Sequence, residues 1–331
     1  MDPLRAVHST ASAASVAQLV QQEYDLGATL ECRLLNRGFN DVYALRTPAG
    51  RSIVRLSGQR RRRPADVATE TAFLAHLDAA GVPVAAAVPA RDGWLFAMAD
   101  APEGKRAVVV FRPAAGRPPH LDAPEDAHAH GVTLARIHAA TASFQAPPGR
   151  DRLDVTHLVH RPMAAVSALD ALSPATGEYL AQAASRLAAA VTAQDGLAWT
   201  WCHGDCHGLN ARIATEGPLA GAATFFDFDD GGFGYLAYDL AVFLWAQVSF
   251  GRQRYAMWHA FIAGYRATRP VSPADFEAVH LFVPIRHLWL MGQFAQQVTE
   301  WGTDNLPPSW LDRQADFLRA WDAERLSPRL L

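Results

Sequence analysis

Short apolar runs separated by turn residues dominate the first third of the chain. Their alternation of apolar and polar positions is typical of half-buried strands, and the Asn, Asp, Pro and Gly residues between them favour tight turns. Three runs predict an antiparallel meander and two more predict a hairpin: Leu30–Leu35, Val42–Arg46, Ser52–Leu56, Trp94–Met98 and Ala107–Phe111. A helix is predicted on either side of the meander. The first covers Ser9–Tyr24 with Ser9 or Ser12 as its cap, and the second runs from Pro64 to Gly81.

Helical spacing of apolar residues replaces the strand patterns beyond a turn-rich segment at Pro113–Pro119. Helices are predicted over Pro124–Thr141, over Arg161–Ala193 and, in several pieces, from Tyr238 to Leu326. Three short apolar runs between these helices predict strands at Trp199–Cys202, Ala211–Ile213 and Ala223–Phe228. The order of elements predicts an α+β fold, in which a small antiparallel sheet precedes a larger, mainly helical part.

This order divides the chain into a helical extension over residues 1–27, a sheet lobe over 28–112 and a helical lobe over 113–331. The chain has 331 residues, of which 50% are hydrophobic and 19% are charged. That composition supplies enough apolar material for a large core, and it excludes a chain that is intrinsically disordered as a whole.

Charge and cysteine content narrow the classes of function. The formal net charge is −3 and the isoelectric point is about 6.5, which does not favour nucleic-acid binding. The basic run Arg60–Arg63 is therefore interpreted as a solvated loop. The longest purely apolar stretches, such as Ala107–Phe111, are far too short to cross a membrane. Because cysteines are sparse and no apolar leader is recognised, we expect a cytoplasmic protein.

Two polar clusters directly follow predicted apolar strands. The first is His203–Asn210, with the sequence HGDCHGLN, and the second is Phe226–Asp230, with the sequence FDFDD. Carboxylates at the ends of two adjacent strands would repel each other, so a divalent cation is their natural partner. Oxygen ligands favour Mg²⁺ or Mn²⁺ over Zn²⁺. A single Asp at a strand end more often accepts backbone hydrogen bonds in a tight turn, but two such clusters together favour a catalytic or metal-binding role.

The first cluster has the spacing H-x-D-x-x-x-x-N of the kinase catalytic loop. Together with Phe226–Phe228 and Tyr238–Ala241, it makes the chain resemble the aminoglycoside phosphotransferases and their relatives, choline kinase and homoserine kinase. The meander–helix–hairpin order of the first lobe also looks like that of a kinase. The resemblance implies a protein-kinase-like two-lobe fold and an ATP-dependent phosphotransferase that uses Mg²⁺, with Mn²⁺ as an alternative.

The resemblance assigns roles to residues of both clusters. It implies that Asp205 receives the proton of the acceptor hydroxyl, and that Asn210 and Asp227 are the metal ligands. Phosphoryl transfer requires positioning and neutralisation of charge more than covalent help, so one base and two metal ligands suffice. Three further residues are assigned supporting roles: His203, Asp229 and Asp239.

Nucleotide contacts are expected from the first lobe, where the chain departs from the usual kinase pattern. Kinases place a lysine on the third strand, but this chain has Arg55 there, with Glu70 in the following helix. Lys105 is the only lysine, so arginine must supply any other cation, and its planar fork is not equivalent to an ammonium. The phosphate-covering loop and the hinge that contacts the base are expected to contribute Gly38, Asn40, Val110 and Phe111.

Three other motifs are weaker matches to other classes. Gly204–Gly208 resembles the G-D-x-H-G of metallophosphoesterases, but no later Gly-Asn-His element follows. Cys202–His207 lacks the second ligand pair of a zinc site. Gly232–Ala237 matches the dinucleotide fingerprint G-x-G-x-x-A, but the aspartates before it would repel a pyrophosphate. We interpret that segment as a glycine-rich magnesium loop.

The acceptor is left open by the sequence. Residues 240–274 contain no acidic side chain, which favours a neutral or zwitterionic amino alcohol or homoserine-like amino acid over a cationic aminoglycoside. A protein Ser/Thr kinase of the bacterial stress-response type and a weakly active nucleotide-binding regulator are the alternatives. The expected partners are a nucleotide and a small hydroxylated acceptor, with no nucleic acid and no membrane, for a monomer or homodimer.

Overall fold

The computed structural model describes residues 4–58 and 63–324. The strands are β1 Glu31–Arg37, β2 Asn40–Thr47, β3 Gly50–Ser57, β4 Ala97–Ala101, β5 Gly104–Phe111, β6 Trp199–Cys202, β7 Ala211–Ile213, β8 Ala223–Phe225 and β9 Gly232–Tyr235. The helices are α1 Ala13–Glu23, α2 Pro64–Ala79, α3 Pro124–Ala140, α4 Arg161–Ser167, α5 Pro174–Ala193, α6 Leu236–Val248, α7 Tyr255–Thr268, α8 Pro273–Ala295, α9 Val298–Trp301 and α10 Pro308–Asp322. Two features of the sequence analysis, Arg60–Arg62 and the end of the last predicted helix at Leu326, lie outside the described residues.

Five antiparallel strands in the order β1-β2-β3-β5-β4 form the N-terminal sheet. In the C-terminal part, the pairs β6-β9 and β7-β8 are set among helices. This arrangement confirms the predicted α+β fold, with its small antiparallel sheet followed by a larger helical part.

Helix α1 packs against the N-terminal sheet through Val16 and Val20, which are buried in the same cluster as the strand residues. Ser12 caps the helix by accepting the N–H of Ser15 at 3.1 Å. Just beyond the helix, the hydroxyl of Tyr24 donates to the carbonyl of Val108 on β5 at 2.9 Å. The extension is therefore fixed to the sheet at both ends of α1.

Ser9 has a different role from the cap that the sequence allowed. Its hydroxyl donates to Glu103 at 2.6 Å, and its carbonyl accepts from buried Arg106 at 2.7 Å. Arg106 also pairs with Asp41 at 2.9 Å, next to the turn between β1 and β2. Through Ser9 and this buried ion pair, the N-terminal segment is tied to β2 and β5 of the sheet.

In two places the predicted strand extends three residues beyond the observed one. The run Trp94–Met98 was expected to be a strand, but β4 begins at Ala97, because Trp94 belongs to a turn in which its carbonyl accepts the N–H of Ala90 at 2.8 Å. Trp94 precedes the strand and is 62% exposed. The run Ala223–Phe228 ends as a strand at Phe225, because the backbone turns within the following polar cluster.

The glycine-rich segment Gly232–Tyr235 is a strand, not the loop that the sequence analysis expected. It pairs antiparallel with β6, with Cys202 opposite Gly232 and Trp199 opposite Tyr235. A Cβ at Gly234 would lie 2.5 Å from the Cβ of Leu153, so the close approach of that neighbouring segment requires glycine. The glycines that suggested a loop therefore serve packing.

Helices α6 and α8 form the centre of the C-terminal core. Every residue of α6 is buried, which explains its run of apolar side chains with hardly any polar face. Helix α8 contains Pro284, which cannot donate to the carbonyl of His280 one turn earlier. The indole of Trp321 on α10 donates to that carbonyl at 3.1 Å instead.

Two buried histidines make the stability of this core depend on pH. Burial lowers the pKa of His130 and that of His287 to about 3. Between pH ~6.5 and ~3 these histidines are protonated in the unfolded chain but not in the folded one, so the free energy of unfolding falls as the pH falls. Each histidine contributes about 1.4 kcal/mol per pH unit to that loss.

We expect His130→Asn and His287→Asn each to flatten the decrease in unfolding free energy between pH 7 and pH 5. Urea unfolding of wild type and variants at the two pH values measures it. His128 lies on the same helix as His130 but is exposed, so His128→Asn is the matched control. An equally steep decrease in all four proteins would contradict the assignment to buried histidines.

Candidate active site

The loop between β6 and β7 carries the first polar cluster, and its backbone is held by Asp239 of α6. The Asp239 carboxylate accepts the N–H of His203 at 2.6 Å and that of Gly204 at 2.8 Å. Gly204 has a φ of +81°, and a Cβ there would lie 2.2 Å from the carbonyl oxygen of Asp230. The loop is thus fixed both to the start of α6 and to the second polar cluster.

A buried chain of hydrogen bonds lies behind this loop. His138 Nδ1 is 2.7 Å from the hydroxyl of Tyr265, and His138 Nε2 is 3.0 Å from Asp239 Oδ2. Burial lowers the pKa of His138, so the neutral ring donates from Nε2 and accepts at Nδ1. Burial acts to raise the pKa of Asp239, but the interactions with His138, His203 and the N–H of Gly204 together outweigh it and keep that pKa below its ordinary value. Asp239 therefore stays ionised.

His203 shapes the loop from within. Its Nδ1 accepts the N–H of Asp205 at 3.2 Å, and its Nε2 donates to the carbonyl of Phe226 at 3.0 Å. The ring lies 4.3 Å from that of Phe228, measured between centroids. Burial lowers the pKa of His203, which keeps the ring neutral and suited to these two hydrogen bonds.

Asp205 is held on both carboxylate oxygens. Its Oδ1 accepts a short hydrogen bond from Arg286, and its Oδ2 accepts from Asn210 Nδ2 at 3.0 Å. His207 Nε2 lies 3.5 Å from the same Oδ2. Burial raises the pKa of Asp205 to about 6, although the charge of Arg286 opposes the shift. An ionised Asp205 at neutral pH is a base in a largely enclosed, oriented position.

Asp227 follows β8 in an unusual backbone conformation. Its φ is +67°, in the left-handed region that Asp and Asn adopt more readily than most residues. Its side chain is 43% exposed within the cleft, with Oδ1 3.7 Å from Arg55 Nη1. The surrounding protein and the neighbouring carboxylate of Asp229 raise the pKa of Asp227 despite that arginine. Two carboxylates are thus held close together without full neutralisation by the protein.

Asn40 connects the turn between β1 and β2 to the second polar cluster. Its Nδ2 donates to Asp229 Oδ2 at 2.8 Å, and its Oδ1 accepts the N–H of Gly58 at 3.3 Å. Gly38 completes the turn by donating its N–H to the carbonyl of Asn40 at 3.1 Å. The turn therefore lies over the acidic residues, between the sheet and the helical part.

The residue at the tip of this turn adds an apolar contact. The ring of Phe39 lies 5.1 Å from Trp301 and 6.0 Å from Phe294, measured between centroids. These two residues belong to α9 and α8 of the helical part. The turn is thus bound to the opposite side of the cleft by one hydrogen bond and two aromatic contacts.

Arg55 is committed to a buried, bidentate ion pair. Its two terminal nitrogens donate to Glu70 at 2.8 Å and 2.6 Å, and its guanidinium lies 5.1 Å from the ring centroid of Phe111. Burial acts to lower the pKa of Arg55. The charge and hydrogen bonds of Glu70, together with the charges of Asp229 and Asp227, more than offset this effect, so the side chain stays charged. The pair joins β3 to α2, as a lysine and a glutamate do in kinases.

One cavity of about 460 Å³ between the sheet and the helical part brings most of these residues together. The expected site residues that line it are Asn40, Arg55, Phe111, Asp205, Asp227 and Asp229. The expected site residues that do not line it are Gly38, Glu70, Val110, His203, Asn210 and Asp239. Val110 is fully buried in the sheet, and its carbonyl already accepts the N–H of Val88 at 2.7 Å.

Several residues that contact this site were not expected from the sequence. Arg286 of α8 lines the cavity from a part of the chain that carries no motif. Arg150 donates to the carbonyl of Gly231 at 2.6 Å and to that of Asp66 at 2.9 Å, which ties the second cluster to α2. The one local feature of the sequence that could have drawn attention to Arg286 is the proline two residues before it, inside an apolar helical pattern.

The donor set fits a hard divalent cation. Asp227 and Asp229 offer carboxylate oxygens in the cavity, and Asn210 uses Nδ2 toward Asp205, which leaves its carbonyl oxygen on the other branch of the amide. A cation would relieve the repulsion that raises the pKa of Asp227. Oxygen donors of this kind suit Mg²⁺ or Mn²⁺.

The fold and the site define a phosphotransferase of the kinase-like class. Residues 31–271 match the family described as "Phosphotransferase enzyme family", and the chain belongs to that family. The resemblance stated from the sequence is therefore confirmed, as is the expectation of a phosphotransferase.

Individual relatives cover nearly the whole chain. It is 38% identical over 321 residues to an uncharacterized protein of Deinococcus radiodurans, covering 96% of this chain and 92% of that one. It is 29% identical over 294 residues to a homoserine kinase of Caulobacter sp. strain K31, covering 85% of this chain and 84% of that one.

Solved structures support the fold. A microcompartment-associated aminopropanol kinase superposes with a TM-score of 0.77 at 24% identity, covering 96% of this chain and 100% of that one. The amicoumacin kinase hAmiN, in complex with AMP-PNP, Ca²⁺ and Ami, gives a TM-score of 0.75 at 17% identity, covering 92% of this chain and 93% of that one. These similarities confirm the protein-kinase-like architecture. Across residues 4–58 and 63–324, no helix is both long and apolar enough to traverse a bilayer.

Proposed function

We propose that this phosphotransferase moves the γ-phosphate of ATP to a hydroxyl of a small molecule, with Mg²⁺ as the metal and Mn²⁺ as an alternative. The observation that carries the proposal is the shared cavity of Asp205 and Asp227, with Arg55 on the facing sheet. A base, an acidic metal site and a fixed cation around one cleft are the parts that phosphoryl transfer requires.

In this proposal Asp205 accepts the proton of the attacking hydroxyl, because its carboxylate is ionised at neutral pH and held on both oxygens. Asn210 and Asp227 hold the metal, and Asp229 supports them. The bound cation would neutralise charge on the phosphates. His203 and Asp239 keep the loop in shape through the backbone contacts described above.

Residues 28–112 form the nucleotide-binding lobe in this proposal, with 113–331 as the catalytic lobe and 1–27 as an extension. Arg55, aligned by Glu70, would contact the phosphates, and the turn at Gly38 and Asn40 would cover them. The adenine ring of the nucleotide would lie near Phe111 and the residues after it, which line the cavity. Val110, which is buried within the sheet, would support the nucleotide site from below. A cytoplasmic location and a monomeric or homodimeric state stay predictions from the sequence.

A second cavity of about 260 Å³ adjoins Asp205 and suits the acceptor. Four aromatic side chains, four polar ones and one leucine line it: Trp245, Phe250, Phe294, Trp310, Asp205, His207, Arg286, Gln314 and Leu290. This volume lies below the ~300–1,000 Å³ of pockets for drug-sized ligands. A small amino alcohol or hydroxy amino acid therefore fits the proposal better than an aminoglycoside. The names of the homoserine and aminopropanol kinases support the same choice.

A coupled assay for ADP formation, run with ATP, Mg²⁺ and a panel of acceptors, tests the function. We expect turnover with a small amino alcohol or hydroxy amino acid and none in the presence of EDTA. ATP binding without transfer to any member of a broad panel would favour the regulator instead, and transfer to a protein serine would favour the protein kinase. A chain that binds no nucleotide would refute all of these.

A further inference from the structure

Arg286 makes an unusually complete set of contacts for a residue outside both polar clusters. It lies on α8 with 3% of its side chain exposed. One terminal nitrogen donates to Asp205 Oδ1, and the other lies 3.2 Å from the carbonyl of Gly204 and 3.3 Å from the hydroxyl of Tyr238. Its Nε has no hydrogen-bond partner among the residues that the structure describes.

The surroundings of Arg286 prevent it from swinging away. The guanidinium carbon lies 4.4 Å from the ring centroid of Trp289 and 5.2 Å from that of Trp245. The helix that carries it contains Pro284, and the contact from Trp321 to His280 holds the helix at that point. The guanidinium is thus fixed in position before any ligand binds.

Arg286 also lies where the two cavities meet, since it lines both the larger and the smaller one. Lysine does not supply a cation there, because Lys105 is 71% exposed on the β4–β5 hairpin and pairs with Asp100 at 3.6 Å. Arg55 lines the larger cavity only and is committed to Glu70. Arg286 is therefore the arginine that both cavities share.

We propose that Arg286 is a positioning residue for phosphoryl transfer, which orients the carboxylate of Asp205 toward the acceptor hydroxyl. Arg286 holds Oδ1 while Asn210 holds Oδ2, so the plane of the carboxylate is fixed from two sides. This inference rests on the proposed function. A lysine at 286 would keep the charge but lose the planar fork that reaches Asp205 and Gly204 at the same time.

Steady-state kinetics of Arg286→Gln and Arg286→Lys, together with direct measurement of ATP binding, test this role. For Arg286→Gln we expect kcat to fall about 100-fold, since small displacements of a reacting group cost about that much, while the Kd for ATP changes less than about threefold. Arg286→Lys should recover part of the loss. Arg254→Gln is the control, because Arg254 is bonded to Asp122 at 2.7 Å and lines neither cavity.

The outcomes separate the two proposals. Wild-type protein that transfers no phosphate fails the proposed function and this inference with it. Active wild type with an unchanged kcat in Arg286→Gln, or with only a raised KM for the acceptor, overturns the positioning role alone. If Arg286→Gln does not fold, as judged by thermal denaturation, Arg286→Lys decides: a kcat equal to that of wild type overturns the role, and a reduced kcat with unchanged ATP binding supports it.

Discussion

Asp205→Asn is expected to lower kcat about 1,000-fold while the protein still folds and binds ATP. A positioned general base contributes about 10²- to 10⁴-fold to such a reaction, and the amide cannot accept the proton. The amide keeps an oxygen near Arg286, so the free energy of unfolding should fall by only about 1–3 kcal/mol. The coupled ADP assay with the best acceptor, combined with thermal denaturation, measures both effects.

Asp195→Asn is the matched control for this substitution. Asp195 is exposed between α5 and β6 and lines neither cavity, so the change should leave kcat as it is. An Asp205→Asn enzyme within about threefold of wild type would mean that Asp205 does not act as the base, since that is far less than a base contributes.

Asp227→Asn is expected to reduce turnover by about 100-fold or more at ordinary Mg²⁺ concentrations, because the site loses a charged oxygen ligand. It should not destabilise the protein in the absence of metal. Burial and the neighbouring charge of Asp229 raise the pKa of Asp227, so removal of its charge relieves both the desolvation cost and the repulsion. Asn also tolerates the φ of +67° at this position.

The dependence of turnover on Mg²⁺ concentration, measured with and without added Mn²⁺, tests the loss of activity. Thermal denaturation in EDTA tests the stability of the metal-free protein. Asp227→Ala is the informative comparison, because Ala removes the charge but fits the left-handed backbone poorly. It should be less stable than Asp227→Asn. An unchanged Mg²⁺ dependence in Asp227→Asn would show that this carboxylate does not hold the metal.

The residues that the sequence reveals are those that lie in order along short segments. The spacing of Asp205 to Asn210 and the run Phe226–Asp230 each describe one loop after one strand, so local pattern was sufficient to find them. The α+β order was visible for the same reason, because each strand and helix carries its own apolar period.

What the sequence hid depends on contacts between distant segments. Arg286 lies 81 positions from Asp205, and His138 lies 101 positions from Asp239, so no spacing rule connects them. The strand Gly232–Tyr235 was mistaken for a loop, because its glycines are required by the close approach of Leu153 and not by a turn. Packing of this kind is decided only when the chain is folded.

The near absence of lysine has a practical consequence for handling the protein. Amine-directed reagents, such as active esters used for dyes, biotin or surface coupling, would find one lysine side chain, that of Lys105, which does not line the cleft. Apart from the terminal amine, one tag per molecule at Lys105 should result. The protein could then be immobilised in one defined orientation, and acyl-phosphate probes that label nucleotide sites through lysine should leave the cleft unmarked.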